Sequence, residues 1–377
     1  MTNPSVCLTI DWYLPGTNSG GPVRSVANLV AAMPNTHFYI ITRNTDYCST
    51  APYAGIQANV WVQIAPNVKV CYLEDSQISK QKIQALVIES GAQTLYISGI
   101  YSKAFSQWPV SIGKALKLKT VVAARGMLSP HALAVKPVKK YLFLSLMRWL
   151  NAYSHVHFHA TSAQEAADIK KVLRPASKTL TIQNLGSPNN SPILDIKKEP
   201  GSLQLVSVGR IAPEKGTLVG LKALKDVKGR VEIALYGMAY NVAYWQECQE
   251  VIACLPSNIQ VTYHGPCPSE EVAEKIVAAH ALLLPSEGEN FGHSIVESLA
   301  QRRPVLISKH TPWQNLASHH AGWDVSASEL PSAIQSLIDM DQVAYQTWSE
   351  GAKNYHQQEI QQKQATAIQA YQTLFHL

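Results

Sequence analysis

The chain has no Cys-x-x-Cys pair. Its six cysteines, Cys7, Cys48, Cys71, Cys248, Cys254 and Cys267, are scattered, which excludes a disulfide framework and gives zinc no recognisable ligand spacing. Charge is sparse as well: 15% of the residues are charged and 46% hydrophobic, a globular balance without the composition of disorder. Every long apolar run is broken by a charge well short of a membrane span. No Gly-x-Gly-x-x-Gly follows a strand-like segment, which argues against a dinucleotide-dependent oxidoreductase. Neither a short repeat nor a low-complexity tract is present. Met1-Thr2-Asn3-Pro4 runs directly into a strand-like segment with no signal peptide, so a soluble, cytoplasmic protein is the expectation.

What remains is mildly basic, with a net charge of +6 over 377 residues. That suits nucleotide phosphates or an anionic lipid surface and fits a plain soluble enzyme equally well. The length favours two domains. Short apolar runs alternate with helical patterns twice over. The first series has strands at Val6–Ile10, Phe38–Arg43, Val68–Leu73, Thr94–Ser98, Lys119–Ala124, His155–Ala160 and Thr179–Ile182. Helical segments such as Pro22–Met33, Ile78–Glu89, Ala134–Leu150 and Ser162–Leu173 lie between them. The second series has strands at Leu203–Val208, Val231–Leu235, Ile259–His264, Ala281–Leu284 and Pro304–Ser308. Between the series, residues 186–202 are rich in Pro, Gly, Asn and Ser and read as a linker. The expectation is α/β: two doubly wound, Rossmann-like domains, 1–185 and 203–354, with a Gln-rich helix at 355–377 outside both alternations.

The most informative segment runs from Leu282-Leu283-Leu284-Pro285 through Glu289-Asn290-Phe291-Gly292 to Glu297. A buried strand ends at Pro285, a polar loop follows, and a helix is predicted from about Phe291. The backbone N–H groups of Asn290, Phe291 and Gly292 would then meet a phosphate at a helix N-terminus. On a helical wheel Glu297 points away from the core contacts Ile295 and Leu299. By spacing alone, the two carboxylates fit sugar and ribose hydroxyls, or a capping group and a solvated helical Glu.

This segment resembles the Glu-x7-Glu signature of glycosyltransferase family four, bacterial polysaccharide-type group 1 enzymes with the two-domain GT-B fold. Leu-Pro-Ser before the signature, Asn-Phe-Gly within it and Arg303-Pro304-Val305-Leu306 after it match too, and the resemblance extends over essentially the whole chain. It departs at Gln301-Arg302-Arg303, where the family commonly has a glycine, in a helix exit expected not to touch the site. The resemblance implies two domains facing a cleft and a C-terminal helix crossing back to the first domain. It assigns Glu289 to the transferred sugar and Glu297 to the nucleotide ribose. Gly209-Arg210-Ile211-Ala212-Pro213-Glu214-Lys215-Gly216 looks like the family's Gly-Arg…Lys-Gly loop. Alone, its Arg and Lys are ordinary surface charge; in the family's place, Arg210 and Lys215 would stabilise a diphosphate leaving group.

Gly20-Gly21-Pro22-Val23-Arg24 resembles the family's first glycine loop, which faces the diphosphate, although a Gly-Gly before a helix is by itself only a tight turn. In Ala124-Arg125-Gly126, Arg125 stands where many members have a His or an acidic residue. An Arg cannot act as a base at neutral pH. Arg125 stays a candidate catalytic residue, with His131 as a substitute. His155, His157 and His159 share one face of a strand; no acidic cluster accompanies them, and no metal site is expected. Lys136, Lys139, Lys140 and Arg148 border an aromatic-apolar stretch that fits a helix resting on an anionic bilayer, or a buried helix with a charged tip.

The combined expectation is a retaining, metal-independent hexosyltransferase with no cofactor beyond its nucleotide-sugar co-substrate. It would move a sugar from a UDP- or GDP-sugar to a hydroxyl of a saccharide or lipid-linked acceptor, in surface polysaccharide or glycoconjugate synthesis. No nucleic-acid partner is expected. A phosphorylase would need a cofactor-binding Lys motif that is missing. The rival readings are a nucleotide-sugar epimerase and a non-catalytic sugar-nucleotide-binding protein.

Overall fold

A computed structural model describes residues 4–173, 178–187 and 194–376. The chain divides into two compact units, Met1–Leu185 with Gln364–Leu377, and Gly186–Lys363.

The first unit is built on eight strands: β1 (Ser5–Thr9), β2 (His37–Arg43), β3 (Trp61–Ala65), β4 (Val68–Leu73), β5 (Thr94–Ser98), β6 (Lys119–Ala123), β7 (Val156–Ala160) and β8 (Thr179–Thr181). Their order is β3-β4-β2-β1-β5-β6-β7-β8, parallel except for β3, which runs antiparallel to β4. Central strands such as β1 and β5 are buried along almost their whole length, because helices cover both faces of a parallel sheet. The core accordingly lies in two layers. One packs Leu95, Ile97, Val122 and Phe158 under the helices on one face; the other packs Leu8, Ile40, Tyr96 and Val121 on the opposite face. That second layer includes Ala367, Tyr371, Leu374 and Phe375, from the helix Gln362–His376. Lys119 Nζ fastens the same helix by donating to the Leu374 carbonyl.

The second unit carries β9 (Ser202–Val208), β10 (Arg230–Tyr236), β11 (Ile259–Gly265), β12 (Ala281–Leu284), β13 (Val305–Ser308) and β14 (Gly322–Val325). All pair in parallel, in the order β11-β10-β9-β12-β13-β14. The expected fold class, α/β of the GT-B type with two doubly wound parallel sheets, is the one observed.

Several local expectations change. Two strands carry no clear pattern in the sequence, β3, a half-exposed edge strand, and the four-residue β14. The single helix expected over Ala134–Leu150 is two, Pro130–Ala134 and Pro137–Trp149. Lys136 takes a left-handed φ of 55° between them, and Pro137 bars the residue before it from the helical region. The helix that follows the Gly209–Gly216 loop is short, Thr217–Ala223. Of the linker, residues 188–193 lie outside the described residues. Beyond them Lys198 is buried, and its ammonium donates to the carbonyls of Glu199, Ile338 and Met340. Those last two carbonyls close the helix Leu330–Asp339, where a cation is favoured. This part of the linker is thus packed structure. Further on, Tyr355 and Ile360 still pack in the second unit, and the chain joins the first unit only from Gln364.

Candidate functional site

Strand order reverses in the second sheet between β9 and β12, and ligands of open α/β sheets bind at such points, outside the carboxyl ends of the strands. The two loops that leave this point are those of the two strongest sequence motifs. They are bound to each other through backbone. Gly216 has a left-handed φ of 69°, and a Cβ there would stand 2.0 Å from the Pro285 carbonyl oxygen. Only glycine permits that approach. Next to it the Glu287 N–H donates to the Glu214 carbonyl. A second close approach sits behind: a Cβ on Gly237, after β10, would lie 1.8 Å from the Gly209 carbonyl oxygen.

This clamp brings the motif side chains together. Lys215 Nζ lies 2.5 Å from Glu289 Oε1, an oxygen that also accepts from Ser286 Oγ at 2.8 Å. Glu289 is nearly buried, its side chain 9% exposed, and Lys215 is 23% exposed. Arg210 pairs with Glu214 at 3.1 Å, and its guanidinium stands 5.7 Å over the Tyr240 ring, whose hydroxyl also donates to Glu214. Both cations are held beside carboxylates at a half-open surface, charge-compensated yet within reach of an incoming anion.

The helix after this loop begins at His293, with Gly292 as a left-handed cap. Its first-turn N–H groups therefore belong to His293 and Ser294, two residues beyond where the sequence placed them. Phe291 is buried: its carbonyl accepts from Trp313 Nε1, and its ring packs edge-on against Trp313. Glu297 is buried at 9% exposure, in a helix whose residues from His293 to Leu299 are all buried. The solvated-helix reading of Glu297 is thereby excluded. In the helix exit, buried Arg303 donates to the carbonyls of Leu194 and Val277, and Arg302 pairs with Glu350 at 2.9 Å. The departure from the family pattern is a structural brace.

In the first unit, Gly20 caps the helix Gly21–Ala31 with φ 71°, and a Cβ on Gly20 or Gly21 would meet nothing within 4 Å. The chain itself gives no steric reason for Gly21, so its backbone is open to a ligand. The Asp46 carboxylate orders the loop before it by accepting from the N–H groups of Thr17 and Asn18. Arg24 lies half-buried in the first turn of that helix.

Arg125 follows β6 with a left-handed φ of 54°. Its guanidinium donates to Asn184 Oδ1 and, at 3.0 Å, to the Tyr96 hydroxyl. Tyr96 in turn lies 2.7 Å from His159 Nδ1, and His159 Nε2 faces the Ile182 carbonyl at 2.8 Å. A carbonyl only accepts, so the proton is on Nε2 and Tyr96 donates to Nδ1. Tyr371, from the returning helix, closes the cluster 3.2 Å from Nε2. Burial, reinforced by the Arg125 charge, lowers the His159 pKa to about 3. Arg125 therefore heads a directed hydrogen-bond chain inside this unit. His131 is exposed on a five-residue helix. His155 is engaged with the Val110 carbonyl, and among the described residues no three His, Cys, Asp or Glu side chains are grouped to hold a metal ion.

Asp11 belongs to none of the motifs legible in the sequence. It follows β1 at the first sheet's own reversal, between β1 and β5, accepts from Ser102 Oγ at 2.8 Å and lies 3.7 Å from Arg43 Nε. Burial raises its pKa against the opposing effects of Ser102 and Arg43. The available signal was an acidic residue immediately after a buried strand.

Residues 193–355 match the family described as glycosyl transferases group 1. A serotype-specific mannosyltransferase of Escherichia coli, WbdA, is 25% identical over 167 residues, 42% of this chain. The match spans only 19% of that relative's length. Among solved structures, sucrose-phosphate synthase from Thermosynechococcus elongatus superposes with a TM-score of 0.71 at 17% identity, covering 99% of both chains. Anabaena HepE, solved with UDP and glucose, gives 0.69 at 16% identity, covering 99% of this chain and 100% of its own. These two likenesses establish a shared fold.

Proposed function

We propose, from a second unit that carries the group 1 glycosyl transferase match, that this chain transfers a sugar from a nucleotide-diphosphate sugar to an acceptor hydroxyl. The observation that carries this reading is the Lys215–Glu289 pair at the β9/β12 reversal, with Arg210 in the same loop and a helix N-terminus beyond it. In the proposed complex the diphosphate draws Lys215 and Arg210 from their carboxylate partners. Glu289, released from Lys215, takes hydroxyls of the transferred sugar, and Glu297 takes the ribose. Preorganised charge of this kind is usually the largest catalytic contribution in such a site. Transfer is proposed to be retaining: the acceptor hydroxyl attacks on the face from which the diphosphate departs, and a donor phosphate oxygen accepts its proton. The two basic side chains and the His293 helix terminus supply the countercharge, and no metal is part of the scheme.

Either UDP or GDP fits this chemistry, and so does a saccharide or lipid-linked acceptor hydroxyl, which would place the enzyme at the cytoplasmic face of a membrane in polysaccharide or glycoconjugate synthesis. The experiment is a thermal-shift screen with UDP, GDP and their sugars, followed by transfer assays with the stabilising donor. One base should raise the unfolding temperature. If no nucleoside diphosphate or its sugar does so, the reading fails.

A further inference from the structure

Helix Pro137–Trp149 leaves a continuous apolar face uncovered. Val138, Leu142, Leu146 and Trp149 are 70%, 63%, 48% and 81% exposed. At 3.6 residues per turn these four and Ser145 fall within an arc of about 100°. Lys139 borders the arc on one side, and Arg148 with the exposed Tyr141 on the other. Val135 and Leu150 extend the exposed row at the two ends of the helix. The opposite side is where the helix is held: Leu144 is buried, Phe143 packs against Tyr101, and Met147 joins the core. Lys140 also belongs to that inner side. Its ammonium donates to the Ala132 carbonyl and sits 5.3 Å over the Tyr101 ring. This revises the four-cation face expected from the sequence to Lys136, Lys139 and Arg148.

The charge along this stretch of chain has one sign. Between Glu89 and Glu165 there is no Asp or Glu, whereas nine Lys and Arg occur. A second copy of the chain would bring like charges together at this face, and a neutral apolar partner would leave the flanking cations unanswered. An apolar strip edged by cations is complementary to an anionic bilayer, whose headgroups meet the cations while its acyl boundary receives the strip.

We propose that this helix is an interfacial anchor: it lies in the plane of an anionic membrane surface with Val138, Leu142, Leu146 and Trp149 inserted and Lys136, Lys139 and Arg148 at headgroup level. Attachment is reversible and independent of donor binding. Its electrostatic part weakens with salt, and the inserted strip retains a remainder that a purely electrostatic contact would lack.

The test uses the full chain and vesicles of phosphatidylcholine, alone or mixed with phosphatidylglycerol. One variant combines Leu142→Ser, Leu146→Ser and Trp149→Ser; a second combines Lys139→Glu and Arg148→Glu. All five side chains are exposed, so unfolding temperature and nucleotide response should match the wild type, and sugar transfer plays no part in the readout. The wild type should sediment with the mixed vesicles. The serine variant should lose partitioning by about a hundredfold, the loss expected when the inserted apolar groups are removed. The glutamate variant should lose the preference for phosphatidylglycerol. The proposal is overturned if the wild type stays in solution at low ionic strength, or if the serine variant sediments like the wild type. A wild-type dimer that the serine variant converts to monomer would make the strip a self-contact and overturn it as well.

Discussion

Lys215 and Glu289 were each readable as motif members, and neither motif said that their side chains meet. Their 2.5 Å contact depends on a glycine packed against a carbonyl 69 residues away, a relation that exists only in the folded unit. On the proposed roles, Lys215→Ala and Arg210→Ala should each lower turnover by about two to three orders of magnitude, the usual cost of losing a contact to developing charge. Steady-state rates near wild type in both variants would remove them from the mechanism. The carboxylates should separate by ligand. Glu297→Ala weakens binding of the bare nucleoside diphosphate, whereas Glu289→Gln leaves that binding near normal and slows transfer. Calorimetric titration of the diphosphate into both variants decides this, and the opposite pattern would exchange the two roles.

At the scale of elements, the parallel sheets were legible because strands buried on both faces are written as short, unbroken apolar runs. What escaped has physical reasons. β3 is an edge strand with exposed Gln63 and Ile64, so its pattern carries no burial signal. The break at Lys136 is a left-handed residue, which side-chain periodicity does not encode. The buried chain from Arg125 through Tyr96 to His159 joins loops and strands far apart in sequence, and His159 looked like one of three equivalent histidines. Its proton balance makes a prediction for the first unit. His159 is neutral when folded, with its pKa lowered to about 3 by burial and by Arg125. Below about pH 6.5 the unfolded chain takes up a proton that the folded chain refuses. Stability is therefore full well above that pH and falls as the pH drops toward 3, by about 2 kcal/mol between pH 7.5 and 5. Unfolding temperatures at pH 7.5 and pH 5 should show a larger acid loss for the wild type than for His159→Gln. Equal losses would mean that His159 is not held neutral.

For the whole molecule, the proposed chemistry obtains its countercharge from side chains and a helix terminus, so transfer should persist in EDTA and gain nothing from magnesium or manganese. Activity abolished by chelation and restored by manganese would require a different account of the leaving group. Among the described residues no helix is long and apolar enough to cross a membrane. The division of the chain has a temporal consequence. The second unit, Gly186–Lys363, interrupts the first, whose core is completed by Tyr371, Leu374 and Phe375. On the ribosome, at roughly 5–20 residues per second, the first unit waits about 10–40 s between the emergence of Leu185 and that of its closing helix. During that interval the sheet face beneath Phe375 is bare, and the second unit can fold first. A nascent chain stalled or clipped before Gln364 would carry a finished second unit on an open first core, an apolar surface by which chaperones and proteases can tell incomplete copies from complete ones.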